Sequence, residues 1–235
     1  GGRYDARPFF KRALTYRAGA VYLLPALETK MRTGVGTGIK EPTFLETFGS
    51  GTLIGNPSLK PENSLSWEVG ADQPLLEDRL KLSVSYFSNV YSNMIAFLST
   101  PPAGGTFQNI QKAESSGVET GVEAKLMDWL STGVHYTFLR TRVVDTGGVS
   151  STSFIQGGEL IRRPRQSGAF HLLPKVGDWA GDLGLTFVGT RTDLDFAASP
   201  FGKTVKNKSY KKMDLAVSYQ VWKNEQSGRS LKTRL

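Results

Sequence analysis

Two histidines, His135 and His171, are the only imidazoles in the chain, and there is no cysteine. Thiol nucleophiles, disulfides and thiolate metal sites are thereby excluded. A metal centre needs further ligands at short spacing, and neither histidine has them. A hydrolase needs a Ser–His or Asp–His pair facing one way, and nothing in the sequence favours one. Glu119 and Glu123 lie two strand steps apart on one face, a pattern closer to the lining of a wet lumen than to a paired-carboxylate site. Gly34-Val-Gly-Thr-Gly38 lacks the third glycine of a dinucleotide loop and the Gly-Lys-Ser/Thr of a P-loop, and no helix pattern follows it. Alternate glycines on one strand face instead make room for something packed against that face. Lys203-Thr-Val-Lys-Asn-Lys-Ser-Tyr-Lys-Lys212 is basic but carries one aromatic, too few for a nucleic-acid stacking platform. It reads as a solvated surface loop within a long link. No catalytic, cofactor or metal residue is assigned, and neither enzymatic activity nor a nucleic-acid partner is expected.

The elements that position these residues are strands. Apolar residues recur with period two almost throughout. Leu14 to Tyr22, Met31 to Ile39, Leu65 to Ala71, Leu80 to Tyr86 and Val118 to Leu126 each alternate in this way. Val134 to Phe138, Leu183 to Phe187 and Met213 to Val221 follow the same rule. Gln166 to Leu173 fits less well, with Phe170 and Leu172 on one face and His171 and Leu173 on the other. The count is about nine strands. Val69, Val84, Val122, Leu185 and Val217 are expected on one face, and Ser66, Glu119, Glu123, Thr186 and Ser218 on the other.

Links between strands alternate in length. Leu24–Glu28, Pro74–Asp78, Met127–Leu130, Lys175–Trp179 and Lys223–Gly228 are tight; Lys40–Asn63, Ser99–Gln108, Asp145–Leu160 and Asp193–Ser209 are long. An up-and-down barrel in an outer membrane sorts its links so, with short turns on one side and long loops on the other. A soluble sandwich has no reason to do this. Trp129, Trp179 and Trp222 fall at short turns, as an interfacial aromatic girdle would place them, and Trp67 lies within a strand. The chain of 235 residues is 39% hydrophobic and 21% charged, with a formal net charge of +8. Such a charge favours anionic partners: nucleic acid, lipopolysaccharide or an acidic ligand. No apolar run of about 18 residues is present for a transmembrane helix, yet a barrel strand needs only about ten residues, alternately apolar. A mean hydropathy of −0.27 is compatible with that.

Four motifs carry a resemblance, the second of them specific. Gly36-Thr-Gly-Ile-Lys-Glu-Pro42-Thr-Phe-Leu-Glu-Thr-Phe48 is similar to a G-[FI]-[RK]-x-P-[ST]-x-x-E-L stretch. Asn56-Pro57-Ser-Leu59-Lys60-Pro61-Glu62, with Ser66-Trp-Glu68-Val-Gly70, closely resembles an N-P-x-L-K-P-E…S-x-E-x-G signature. Ser116-Gly117-Val-Glu119 fits a recurrent [SR]-x-G-[VF]-E strand start. Arg162-Arg163-Pro164-Arg-Gln166 resembles R-R-P-R-H with Gln166 in the last place. These are motifs of the TonB-dependent outer-membrane receptors, in family order.

The resemblance implies an all-β fold, an antiparallel up-and-down transmembrane barrel of about 22 strands, of which residues 1–235 supply about nine, roughly strands 12 to 20. It implies a plug domain inside the barrel and a TonB box ahead of it, neither found in this chain, and a last strand that is also missing. The implied function is uptake of a scarce nutrient, a ferric siderophore or a related iron or cobalamin complex, across the outer membrane of a Gram-negative bacterium. Energy would come from the TonB complex. Lipopolysaccharide and outer-membrane lipid are the implied surroundings, and capture of an anionic ferric complex is a second use for the basic run. This segment alone is expected neither to insert nor to transport. A passive porin-like channel and a soluble β-rich binding module remain as alternatives. The motif residues read as structural, because Pro57 and Pro61 fix φ and push Asn56 and Lys60 toward extended backbone, while Leu59 can pin a loop to the wall.

Overall fold

The computed structural model describes residues 1–6, 12–99, 104–149, 151, 153–195, 197, 202–224 and 229–234, with residues 99, 222–224 and 229–234 given by backbone alone. The chain opens with β1 (Gly2–Asp5), β2 (Ala13–Leu24) and β3 (Thr29–Lys40), followed by a five-residue helix α1 (Phe44–Phe48) and a short β4 (Leu53–Ile54). Next come β5 (Glu62–Leu75), β6 (Leu80–Ser99), β7 (Gly105–Met127) and β8 (Leu130–Asp145). The remainder is β9 (Gln166–Val176), β10 (Trp179–Val188), β11 (Arg191–Asp195), β12 (Lys203–Asn207), β13 (Tyr210–Asn224) and β14 (Arg229–Arg234).

One open sheet runs β1-β2-β3-β5-β6-β7-β8-β9-β10-β13-β14, with β11 and β12 a separate hairpin and β4 a parallel graft on β7. All pairs along the main path are antiparallel. The nine strands read from the period-two pattern are β2, β3, β5 to β10 and β13. The barrel is partial and not closed, since β1 and β14 each pair on one side only.

Residues directly opposite in an antiparallel ladder share a face, so register assigns the two faces. Leu82, Val122, Val134, Phe170, Leu185 and Met213 form one continuous row across six strands. The adjacent row, on the opposite face, reads Ser83, Gly121, His135, Ala169, Thr186 and Lys212. Val69, Val84 and Val217 follow the apolar face, and Ser66, Glu119, Glu123 and Ser218 the polar one. The apolar face has no protein over it: Met213 is 69% and Leu215 71% exposed. Trp179 and Tyr219, register partners at the short-turn end, stack their rings 4.8 Å apart, and Trp67 meets Tyr86 at 5.3 Å.

The link expected at Ser99–Gln108 is not long. The β6–β7 ladder continues to Ser99 opposite Gly105, so the two strands are 20 and 23 residues and rise as a ribbon beyond the rest of the sheet. The period-two signal fades there because loop residues pack against the ribbon and mix apolar residues into both faces. Ala96, Ile110, Ala113, Val143 and Leu160 form a small buried core at this end, flanked by Met94, Val149 and Phe154. The basic run is not a loop either: Lys203–Asn207 is β12, and Tyr210 onward opens β13. The loop reading failed because Lys and Thr alternate there around a single Val205, too weak a stripe to show a strand. The tight turns fall at residues 25–28, 76–79, 128–129 and 177–178. Residues 225–228 of the last expected turn, and the side chain of Trp222, lie outside the described residues.

On the polar face, glycines are registered against long side chains. Gly34 opposes Glu68, Gly36 opposes Arg17, and Gly70 opposes Arg32. The partner's side chain leans over the space a Cβ would take, at 3.4 to 3.5 Å for the first two. Gly117 is tightly enclosed between Phe87 and Leu139, where a Cβ would run into the Phe138 carbonyl oxygen and sit 2.7 Å from Phe87 Cζ. Gly117→Ala in the full-length protein is therefore expected to cost about 1–3 kcal/mol, typical of overpacking. Gly34→Ala should be nearly neutral, because its nearest contact is the flexible end of Glu68. Urea midpoints of the two folded variants, read by gel mobility, compare them directly.

Candidate functional site

The long-loop end gathers most of the motif residues. After β3 the chain turns at buried Pro42 and enters α1. Thr43 caps that helix reciprocally: its hydroxyl accepts from the Glu46 N–H at 3.3 Å, and Glu46 Oε2 accepts from the Thr43 N–H at 2.6 Å. This capping box satisfies donors that so short a helix leaves unpaired. Lys40 Nζ lies 3.8 Å from Glu46 and 3.4 Å from Glu62, tying the top of β3 to the helix and to the start of β5.

From α1 the loop is fastened to the β6–β7 ribbon by side chain to backbone bonds. Asn56 Nδ2 donates to the Phe107 carbonyl at 2.8 Å, and Asn56 Oδ1 accepts from the Ser58 N–H at 2.9 Å. The Asn56 N–H itself donates to the Glu46 carbonyl at 2.8 Å. Asn109 Oδ1 accepts from the Lys60 N–H at 2.8 Å, while Asn109 Nδ2 donates to the Lys60 carbonyl at 2.9 Å. Glu62 Oε1 accepts from the Ile95 N–H at 2.8 Å. Pro57 and Pro61 bracket the segment, and Leu59 between them is 6% exposed.

Other motif residues lie lower or on a neighbouring loop. Glu68 sits on the polar face of β5 opposite Gly34 and Phe87. Gly117 and Glu119 occupy the same face of β7. Arg163 and Pro164 belong to the loop between β8 and β9. Lys40, Glu62, Glu119 and Arg163 nevertheless line one concavity of about 580 Å³, together with Phe87 and Tyr91. Two cations, two carboxylates and two aromatic rings can hydrogen-bond and stack on a polar solute. The sequence motif already placed Lys40 at the start of the long link, whereas Phe87, Tyr91 and Asn109 were missed as members of this end. Asn109 lies 49 residues from Lys60 and had no local signal.

The second long loop is fastened to the β11–β12 hairpin. Arg162 Nε donates to Asp193 Oδ1 at 2.7 Å, Asn207 Nδ2 to Asp193 Oδ2 at 3.0 Å, and the Arg162 N–H to the Thr192 carbonyl at 2.7 Å. The Arg162 guanidinium, and then the Leu194 N–H, hold the Asp193 carboxyl below the usual carboxylate range. Farther down the polar face, His171 Nδ1 lies 3.0 Å from Asp182 Oδ1. His171 opposes Gly184, which places Asp182 on the diagonal, so register makes a pair that spacing in sequence did not show. Among the described residues, no group of three or more histidines and carboxylates is placed to hold a metal.

This architecture matches known proteins over almost its whole length. The family model described as "TonB dependent receptor-like, beta-barrel" matches residues 1–232. The chain belongs to the TonB-dependent receptor family. Among curated TonB-dependent relatives, the vitamin B12 transporter BtuB of Vibrio vulnificus is 29% identical over 220 residues, covering 93% of this chain and 32% of that protein. BtuB of Photobacterium profundum is 27% identical over 214 residues, covering 89% and 32%. The chain thus spans about a third of the length of these relatives. Among solved structures, the ferric enterobactin receptor PfeA of Pseudomonas aeruginosa superposes with a TM-score of 0.72 at 19% identity, covering 94% of this chain and 35% of that one. The siderophore receptor PirA of Acinetobacter baumannii gives 0.69 at 17%, covering 94% and 36%. Both share the fold.

The fastening of the first long loop is testable at one residue. Asn56→Ala removes the donor to Phe107 and the acceptor for Ser58, and is expected to cost about 1–3 kcal/mol locally. Limited proteolysis of the full-length receptor should then cut within residues 41–61 while the rest of the barrel stays resistant. Asn56→Asp, which keeps the acceptor alone, should fall between.

Proposed function

We propose that residues 1–235 form part of the barrel wall of an outer-membrane TonB-dependent receptor that takes up a scarce nutrient, most directly a ferric siderophore or related iron or cobalamin complex. The observation that carries this reading is the match of the barrel family over residues 1–232. The registered sheet supports it physically. An apolar face exposed across nine strands suits hydrocarbon, and a polar, glycine-relieved face suits an occupied, wet lumen. The plug domain and TonB box belong to other parts of the full-length protein, and the TonB complex supplies the energy. The protein acts as a transporter and not as an enzyme.

In this reading the long loops face outside, and the concavity lined by Lys40, Glu62, Glu119 and Arg163 belongs to the vestibule through which cargo enters. The motif residues Pro42, Asn56, Pro57, Leu59, Lys60, Pro61 and Glu62 place the loop. Glu68, Gly117 and Glu119 shape the lumen wall, and Arg163 and Pro164 the second loop. Their contacts to backbone, described above, favour a structural role over direct binding of cargo.

Two measurements on the full-length receptor test the reading. Cells carrying it should accumulate a ferric siderophore or cobalamin when TonB is intact and lose that accumulation when TonB is deleted; uptake indifferent to TonB would leave a passive channel. In the same cells, a cysteine at Ser50 should react with an impermeant maleimide and one at Asp178 should not, and the reverse pattern would invert the topology.

The face assignment has its own test. An arginine or lysine toward lipid at mid-bilayer costs about 2–4 kcal/mol. Leu185→Arg is expected to lower the yield of heat-modifiable barrel sharply, while Thr186→Arg, one residue along and on the opposite face, should assemble nearly as well as the parent.

A further inference from the structure

The apolar face ends differently at its two rims. On β8 the series Val134, Tyr136, Phe138 gives way to Arg140 and Arg142 on the same face, since these oppose Ser116 and Glu114 while Phe138 opposes Val118. On β7 the series continues from Val118 through Ser116 and Glu114 to Lys112. On β13 it runs Leu215, Met213 and ends at Lys211 opposite Phe187. All four cations therefore lie toward the long-loop end. At the short-turn end, the described side chains of the same face finish in Leu80, Leu126, Leu130, Trp179 and Val221. A symmetric pair of leaflets would not call for this difference.

The cations on β7 and β8 make a compact patch. Arg140 and Arg142 are exposed two residues apart, about 7 Å along a strand, and neither forms an ion pair among the described residues. Glu114 faces Arg142 in register but is drawn to Lys112, whose Nζ lies 2.7 Å from Glu114 Oε1. Asp145, opposite Lys112, accepts from the Gly147 N–H at 2.8 Å. With Glu114 and Asp145 set against Lys112, Arg140 and Arg142, the patch stays net positive, and neither guanidinium has an ion-pair partner among the described residues. A free guanidinium at an apolar rim is suited to a phosphate, which it binds through two parallel N–H donors. A phosphate bearing acyl chains would place those chains on Phe138, Tyr136 and Val118 directly below.

We propose that Arg140 and Arg142, with Lys112 beside them, bind the phosphates of lipopolysaccharide in the leaflet at the long-loop end. The proposal rests on the outer-membrane reading above and adds a specific lipid contact to it. The charge arrangement favours a lipid phosphate over a free one because the patch adjoins the apolar band and lies on the face turned away from the lumen.

The full-length receptor, purified and stripped of lipid, is the material for the test. Diphosphoryl lipid A, dephosphorylated lipid A and inorganic phosphate are titrated separately, with bound ligand read by native mass spectrometry. Diphosphoryl lipid A is expected to bind the parent, and the Arg140→Gln/Arg142→Gln variant to bind it at least about tenfold more weakly, equivalent to ~1.4 kcal/mol. The charge-conserving Arg140→Lys/Arg142→Lys variant, compared as heat-modifiable protein, should retain most of the affinity. Equal binding by the parent and the glutamine variant would overturn the proposal, as would equal binding of the two lipid A forms. Displacement of lipid A by inorganic phosphate at matched concentration would also overturn it, assigning the patch to a free anion. Weak lipid A binding by a parent receptor whose Ser50 cysteine still labels from outside would refute this contact while leaving the topology intact.

Discussion

The rest of the structure depends on one constraint: each strand's N–H and C=O groups must find partners in the neighbouring strand. In hydrocarbon an unpaired group costs several kcal/mol, so a membrane wall made of strands has to be a continuous ladder. Here the ladder runs without a gap from β1 to β14, and the register within it determines everything the two faces can do. A slip of one residue at any pair would carry that strand's apolar residues to the polar face and its polar ones to the apolar face. The row from Leu82 to Met213 and the adjacent row from Ser83 to Lys212 are two readings of the same six strands, one step apart.

A single sheet has no interior, and this explains how the long-loop end is built. The segments 41–61 and 146–165 cannot be held by burial between two layers. They are held instead by bonds to the neighbouring ribbon and hairpin: Asn56 to the Phe107 carbonyl, Asn109 to Lys60, Glu62 to the Ile95 N–H, and Arg162 to Asp193 and the Thr192 carbonyl. The small core around Ile110 and Val143 adds apolar burial of about 1.5–3 kcal/mol for each large side chain where the ribbon meets the β8–β9 loop. Order at the long-loop end is thus separable from order in the sheet, and loops can vary without disturbing the ladder.

Charge follows the same division. On the polar face, Arg17, Arg32 and Glu68 lie flat over glycines on neighbouring strands, so large polar groups occupy that face without projecting from it. On the apolar face, the cations among the described side chains of β7, β8 and β13 lie toward the long-loop end. The net charge of +8 is therefore not a uniform property of the protein. Part of it is spread over the polar face, and part is concentrated at one end of the apolar face.

Alternation alone was enough to find the nine long strands and assign their two faces, because a period of two survives any arrangement of neighbours, but it did not show the short strands β1, β4, β11, β12 and β14. Val69, Val84, Val122, Leu185 and Val217 could be assigned to one face from the sequence for that reason. The Asn56–Glu62 segment carried the family, because two prolines and an Asx turn constrain local backbone wherever they occur. Tertiary structure alone decided which distant residues meet. The height of the β6–β7 ribbon, the β11–β12 hairpin in the basic run, the bonds of Asn109 to Lys60 and the pairing of His171 with Asp182 all depend on register between strands. Register is a property of pairs of segments, and no single segment's spacing encodes it.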